Sequence, residues 1–165
     1  MDLRVLQSWD GKSIAPLKTF YALEQPQLDA LVRLLDNDEI ATAVSWLIKH
    51  HVENNALTDK EAQMILDAQR CSENWALTLH LLQCLDLIDL HDLDVSVALF
   101  VSRDAIAHEA PFVRAFALSA FAKIAATREE LMPEARGYLA KAQQNEAKPS
   151  VKARLKRAQK YLDQS

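Results

Sequence analysis

The sequence predicts an all-α protein, and three observations support this. Glycine, which most β-rich folds need at their turns, occurs only twice in 165 residues. Residues 111–126 place apolar side chains at the i, i+3, i+4, i+7 spacing of one helical face. Pro26, Pro111 and Pro149 each stand where a helix can begin. The length fits a single domain over residues 1–165, and 50% hydrophobic content is ordinary for a globular chain.

The most apolar stretch, residues 111–126 (PFVRAFALSAFAKIAA), is predicted to form the central helix. One apolar face holds Val113, Phe116, Ala117, Ala120 and Ile124. A second stripe runs through Ala115, Leu118, Ala122 and Ala125. Because these two stripes leave little polar surface, we expect other helices to cover this one on most sides.

The remaining elements follow from apolar periods and local start signals. Residues 1–15 show no helical period, so they are predicted to be an extended segment or a loose arm, with a turn at Asp10-Gly11. A capping box at 58–61 (TDKE) opens one helix, and Ser72 is the candidate cap of the next. Pro133 predicts a late start or a kink in the helix over residues 129–144. The predicted helices are 16–23, 26–36, 39–52, 59–70, 73–88, 93–107, 111–126, 129–144 and 149–162.

These helices recur in pairs at a nearly constant offset. Ile40, Ala76, Val113 and Val151 occupy equivalent positions, separated by 36, 37 and 38 residues. A shorter helix precedes each of them. A self-similar period of this length, with two helices per unit, is typical of an α-solenoid, because each pair leaves an apolar face that the next pair covers. The predicted repeats are approximately 26–54, 58–88, 92–126 and 128–163.

The segment APFVRAFALSAFAKIA resembles the second helix of a HEAT repeat, with its proline start, Val-Arg pair and spaced alanines and leucine. KPSVKARLKRAQKYL is a weaker copy with Lys152 in place of Arg114. Two further segments keep the apolar spacing but lack a cation at the position of Arg114. Leu77 stands there in SENWALTLHLLQCL, and Ala41 in DEIATAVSWLI. The resemblance covers roughly residues 26–162 and extends to the related armadillo repeat. It implies a right-handed α-solenoid of about four HEAT-like helix pairs.

The same resemblance implies a function, because HEAT and armadillo proteins such as adaptins and importins are mostly interaction scaffolds, although a few are enzymes. Second helices of such arrays line the concave face, where partners bind. Ser119 and Lys123, four residues apart, form the stripe of the central helix that we expect to be exposed. The offsets then give a predicted binding row of Trp46, His50, Leu82, Asp86, Ser119, Lys123, Arg157 and Tyr161. A solvated face without a partner is the alternative interpretation.

Three other features are candidates for chemistry. Arg114 stands at the position of the HEAT arginine, so the resemblance implies a bridge to an acid or carbonyl of a neighbouring repeat. The run 86–94 (DLIDLHDLD) collects carboxylates and an imidazole but matches no calcium loop, so Asp92 or Asp94 is more simply a helix cap. His80 is predicted to be a satisfied core histidine. With no nucleophile elbow, phosphate loop or HExxH motif, we expect a non-enzymatic protein without a metal or cofactor.

Charge separates the chain into an acidic middle and a basic end, with a net charge of −4. The basic C-terminal helix can serve as a polar cap of the last repeat or bind an acidic ligand, and we favour the cap. Self-association through this charge asymmetry is a further possibility.

Besides a protein or peptide partner, two functions remain open. One is a nucleic-acid-binding or DNA-repair protein, with Trp46 and Asp86 as the base-contacting pair. The other is an accessory subunit that docks through residues 3–9 (LRVLQSW). The sequence predicts neither the identity of the partner nor the oligomeric state. Without an apolar run of membrane length or a signal-type start, and with two isolated cysteines, a cytoplasmic location is expected.

Overall fold

The computed structural model describes residues 2–164, with the backbone alone for Ser150. Over this range 68% of the chain is helical and no strand occurs, which confirms the predicted all-α class. None of the described helices is long and apolar enough to cross a membrane. The helices are α1 (Arg4–Gln7), α2 (Ala15–Glu24), α3 (Leu28–Leu34), α4 (Ala41–Asn54), α5 (Asp59–Asp67), α6 (Trp75–Cys84), α7 (Ser96–Ala105), α8 (Pro111–Ala125), a 3-10 helix (Glu129–Leu131), α9 (Met132–Asn145) and α10 (Pro149–Asp163).

The helix starts reflect local capping. Thr58 forms the predicted capping box, since its Oγ1 accepts a hydrogen bond from Glu61 N at 3.3 Å while Glu61 Oε2 accepts from Thr58 N at 2.9 Å. The prediction for α6 was wrong by two residues, because Asn74 rather than Ser72 is the N-cap and Asn74 Oδ1 accepts from Ala76 N at 3.1 Å. α9 begins after the 3-10 helix with Pro133 in its first turn, so the late start is confirmed.

The N-terminal segment is ordered as one helical turn, not as an extended segment or a loose arm. Leu6 on α1 is only 2% exposed and belongs to the main hydrophobic cluster. The predicted turn at Asp10-Gly11 forms, with Gly11 at φ 71° in the left-handed region and Asp10 Oδ1 accepting from the Lys12 and Ser13 amides. Met1, the first residue of the predicted arm, lies outside the described residues.

Contacts between each helix and the next but one along the chain arrange the helices in two rows. In the first, α4 packs on α6, α6 on α8, and α8 on α10. We call these four helices the central row. In the second, α3 packs on α5 and α5 on α7. Contacts of α3 with α4, of α7 with α8 and of α9 with α10 join members of the predicted pairs.

Helix α8 takes part in both hydrophobic clusters of the described chain. One stripe, Val113, Ala117, Ala120 and Ile124, packs in the larger cluster with residues of α1–α7. The other, Ala115, Leu118, Phe121, Ala122 and Ala125, packs in a smaller cluster with α9 and α10. The two apolar stripes of the sequence therefore face two different cores, and the expectation that α8 is covered on most sides is confirmed.

Contacts within the central row join residues at similar positions along neighbouring helices. Ser45 Oγ on α4 lies 3.0 Å from His80 Nδ1 on α6. Arg154 on α10 lies 3.7 Å from the ring centroid of Phe116 on α8, and each stands three residues after the equivalent positions Val151 and Val113. The Phe116–Arg154 contact thus follows the offset of 38 residues, and the Ser45–His80 contact departs by one residue from the offset of 36.

Candidate functional site

The residues of the predicted binding row fall into two groups in the structure. Asp86, Ser119, Lys123, Arg157 and Tyr161 come together where α10 and the end of α6 pack on α8. Trp46 and His50 form a separate aromatic pair on α4. The offsets therefore bring most of the row together, although its exposure differs from the expectation.

Ser119 and Lys123 do not form an exposed stripe, so that prediction was wrong. Ser119 is 0% exposed, and its Oγ lies 3.4 Å from Asp86 Oδ1. Lys123 is half-buried, and its side chain turns toward the end of α6. Leu82 and Trp46 are buried as well, at 1% and 8% exposure. The physical reason is that α6 and α10 both pack on α8, which converts this side of the helix into a helix–helix contact.

Lys123 closes the C-terminal end of α6. Its Nζ donates hydrogen bonds to the carbonyl oxygens of Leu85, Asp86 and Ile88 at 2.8, 2.9 and 2.6 Å. These carbonyls lie just past the last residue of α6, where helix partners are missing and the dipole favours a cation. Burial lowers the pKa of Lys123 to about 8, which still leaves most of the amine protonated at neutral pH.

Asp86 is the centre of a polar cluster between α6, α8 and α10. Its carboxylate forms an ion pair with Arg154, whose side chain is 14% exposed against 10% for Asp86. Asp86 Oδ1 also accepts from Ser119 Oγ and Tyr161 Oη, each at 3.4 Å. Burial lowers the pKa of Arg154 to about 10, so the guanidinium stays charged at neutral pH. Removing either member of such a buried pair typically costs about 3–5 kcal/mol, because the remaining charge is uncompensated.

A groove opens beside this polar cluster, between α8 and α10. We call it the α8–α10 groove; it has a volume of about 310 Å³ and is lined by Phe112, Ala115, Phe116, Ala153, Arg154 and Arg157. Phe112 is 51% exposed, and Arg157 is also exposed. The stacked Phe116 ring and Arg154 guanidinium are less exposed, and Arg154 Nε has no hydrogen-bond partner among the described residues. The groove can therefore hold an apolar side chain beside an anionic group.

The sequence interpretation missed two residues of this groove, Phe112 and Arg154, and the exposed Trp75 on α6. Trp75 is 49% exposed at the start of α6 and stands one residue before Ala76, as Phe112 stands one residue before Val113. The available signal was an aromatic residue in the first turn of a helix, outside the apolar stripes that form the core. Arg154 gave a weaker signal, because a cation in a basic helix is normally a solvated residue.

The chain matches no protein-family model, no curated protein and no solved structure. The HEAT resemblance consequently depends on the sequence motif of α8 and on the arrangement of the helices.

The separate aromatic pair joins α2 to α4. The rings of Trp46 and His50 stack with centroids 5.0 Å apart and an interplanar angle of 15°. Tyr21 of α2 lies edge-on to His50, and its Oη is 2.7 Å from His51 Nδ1. Burial lowers the pKa of both histidines, so the neutral imidazoles are favoured in this contact.

Arg114 has the bridging geometry that the HEAT resemblance implies. Its Nη2 pairs with Glu146 Oε2 at 3.0 Å, in the connection between α9 and α10. Its Nη1 donates to the carbonyl oxygens of His108 and Glu109 at 2.9 and 2.8 Å. The guanidinium thus ties the start of α8 to the following helix pair, which agrees with a structural role.

The acidic run 86–94 is engaged in local contacts. Asp94 Oδ1 accepts from Ser96 N at 2.9 Å just before α7. The N-cap of α7 is Val95, so the predicted cap at Asp92 or Asp94 was wrong. Asp89 Oδ1 accepts from His91 N at 3.1 Å, and Asp86 pairs with Arg154. Within the described residues, no group of three or more His, Cys, Asp or Glu side chains is arranged to hold a metal ion.

Proposed function

We propose that this chain is a non-enzymatic protein-interaction module built as a right-handed solenoid of four HEAT-like helix pairs. In this proposal the central row forms the binding face, and a protein or peptide segment lies across it. Two features support the stacked architecture: the two rows of helices, and the contact between Phe116 and Arg154 at equivalent positions of the last two units.

The observation that carries the proposal is a pair of half-exposed aromatic residues at equivalent positions. Trp75 is 49% exposed on α6, and Phe112 is 51% exposed on the neighbouring helix α8. Phe112 also lines the α8–α10 groove, where Arg157 is exposed. Tryptophan, other aromatic residues and arginine dominate the energetics of protein interfaces, so this part of the central row suits a partner better than the buried Ser119–Lys123 side.

Affinity purification with matched variants tests this proposal. We expect the Trp75→Ala, Phe112→Ala double variant to lose the partners that the wild-type protein retains. Phe100→Ala is the control, because Phe100 is 73% exposed but lies on α7, outside the central row. All forms should unfold at similar temperatures. If the double variant and the wild type capture the same proteins equally well, the central row is not the binding face.

The nucleic-acid alternative loses the two residues on which it depends. Trp46 is 8% exposed and stacked on His50, so its face is not free for a base. The Asp86 carboxylate is held by Arg154, Ser119 and Tyr161. A DNA-binding titration at two salt concentrations addresses this alternative directly, since phosphate contacts predict binding that weakens as salt rises.

One observation favours the accessory-subunit alternative. A groove of about 640 Å³ at the N-terminal end is lined in part by Val5, Phe20 and Leu23, and Leu23 is 79% exposed. Because Leu6 is buried in the core, deletion of residues 1–15 would disturb the fold as well as remove the groove. Leu23→Ser is the cleaner variant. If Leu23→Ser loses a partner that the Trp75→Ala, Phe112→Ala double variant retains, the result would favour this alternative.

A further inference from the structure

We infer that the α8–α10 groove binds an acidic segment of a partner protein, in which a carboxylate lies beside an aromatic or large aliphatic side chain. This inference rests on the proposed function and adds the chemistry of the partner. It depends on three properties of the groove: its surrounding charge, its apolar wall and its size.

Helix α10, which forms one wall of the groove, is strongly basic. Residues 148–164 contain six cations against one acid, Asp163. Arg154 pairs with Asp86, whereas the other five are exposed: Lys148, Lys152, Lys156, Arg157 and Lys160. A surface of this kind raises the association rate of acidic segments and disfavours basic ones.

The apolar wall makes the groove more selective than a basic patch alone. Phe112 contributes a half-exposed ring, and Phe116 lies beneath the Arg154 guanidinium at 3.7 Å. Because Arg154 is already paired with Asp86, Arg157 is the groove-lining guanidinium that is exposed for a ligand. The arrangement therefore offers one fork-shaped donor next to one aromatic face, which suits a carboxylate next to an apolar side chain.

The size of the groove favours a peptide side chain over a nucleic-acid strand. Its volume of about 310 Å³ is at the lower end of ligand sites and holds one or two side chains. A single strand of nucleic acid needs a charged track with several stacking positions.

The test is fluorescence anisotropy with a labelled short peptide in which phenylalanine alternates with glutamate. We expect the full chain to bind it, and Arg157→Glu and Phe112→Ala each to weaken binding about tenfold. Lys156→Glu is the matched control, with the same charge change on the same helix outside the groove, and should weaken binding about twofold or less. Replacing glutamate by glutamine in the peptide should abolish the difference between Arg157→Glu and Lys156→Glu. Replacing phenylalanine by serine should abolish the effect of Phe112→Ala.

Several results would overturn the inference. Equal losses in Arg157→Glu and Lys156→Glu would indicate general attraction to a basic helix. Tighter binding of a single-stranded oligonucleotide, also weakened by Arg157→Glu, would make nucleic acid the occupant. A change of sedimentation in Arg157→Glu would make a second copy of this chain the occupant. If the peptide fails to bind while Trp75→Ala, Phe112→Ala still loses its captured partners, this inference fails and the proposed function stands.

Discussion

His80 is a half-buried polar residue in the contact between α4 and α6. Its Nδ1 lies 3.0 Å from Ser45 Oγ, and Ser45 Oγ in turn donates to Thr42 O at 2.8 Å. Because the hydroxyl has one proton to give, Nδ1–H donates to Ser45. Burial lowers the pKa of His80 to about 4, so the ring is neutral at neutral pH. The expectation of a hydrogen-bonded histidine is therefore confirmed, although His80 is half-buried and not part of the core.

This environment predicts acid sensitivity. The pKa of His80 is about 4 when folded and about 6.5 when unfolded, so the unfolded chain binds more protons between these values. Stability should fall as the pH drops through this window, and His80 should account for up to about 3 kcal/mol of the loss at pH about 4. His80→Gln keeps a donor for Ser45 without titrating. Urea unfolding of both proteins at neutral pH and near pH 4 measures the difference, and an equal loss in both would contradict the prediction.

Arg114 and Lys123 show which residue roles could be predicted from the sequence. Arg114 matches the arginine of the repeat motif that its segment resembles, and its bridge to Glu146 agrees with the role that this resemblance implies. Lys123 is the other cation of the same apolar helix, but periodicity alone does not distinguish an exposed lysine from one that caps another helix. Its carbonyl partners lie 35 to 38 residues away, so the role depends on how closely α6 approaches α8.

At the scale of single elements, the capping box at the start of α5 gives a measurable contribution. Thr58→Ala removes the acceptor for Glu61 N and the donor for Glu61 Oε2, and should lower the free energy of unfolding by about 1 kcal/mol. Thr19→Ala is the control, because Thr19 is exposed within α2 and alanine has the higher helix propensity. Urea denaturation of both variants checks the prediction, and a similar loss in each would rule out a specific contribution of the cap.

The helices were predictable because their signals are local. Every predicted helix forms in the described chain, since apolar period and start residues act within a few turns. The errors have long-range causes. α6 ends at Cys84, because the following carbonyls bond to Lys123 instead of continuing the ladder. The one-turn helix α1 has no period of its own, and burial of Leu6 holds it in place.

At the scale of the whole molecule, the sequence offsets predicted which helices pack together. They did not predict which side of those helices is exposed. The polar cluster at Asp86 contains five members of the predicted row. The exposed aromatic residues Trp75 and Phe112 lie nearer the N-terminal ends of the central row. Which turn of a helix stays open depends on the tilt and separation of its neighbours, and a single sequence does not specify these quantities.

The position of α8 also bears on how the molecule unfolds. Long repeat arrays can lose cooperativity, because each unit contacts only its neighbours. In this chain one helix supplies Ile124 to the larger hydrophobic cluster and Phe121 to the smaller one. Loss of either cluster exposes apolar surface of α8, so we expect the two clusters to unfold together.

Tryptophan fluorescence can test this coupling, because Trp46 belongs to the larger cluster, Trp9 packs against it, and no tryptophan belongs to the smaller one. Phe121→Ala should lower the free energy of unfolding by about 3–5 kcal/mol, although Phe121 belongs to the smaller cluster. Its fluorescence and far-UV circular dichroism transitions should shift together, as should those of Ile124→Ala. If Phe121→Ala loses part of its helical signal before the tryptophan signal changes, α9 and α10 unfold independently and α8 does not couple the two cores.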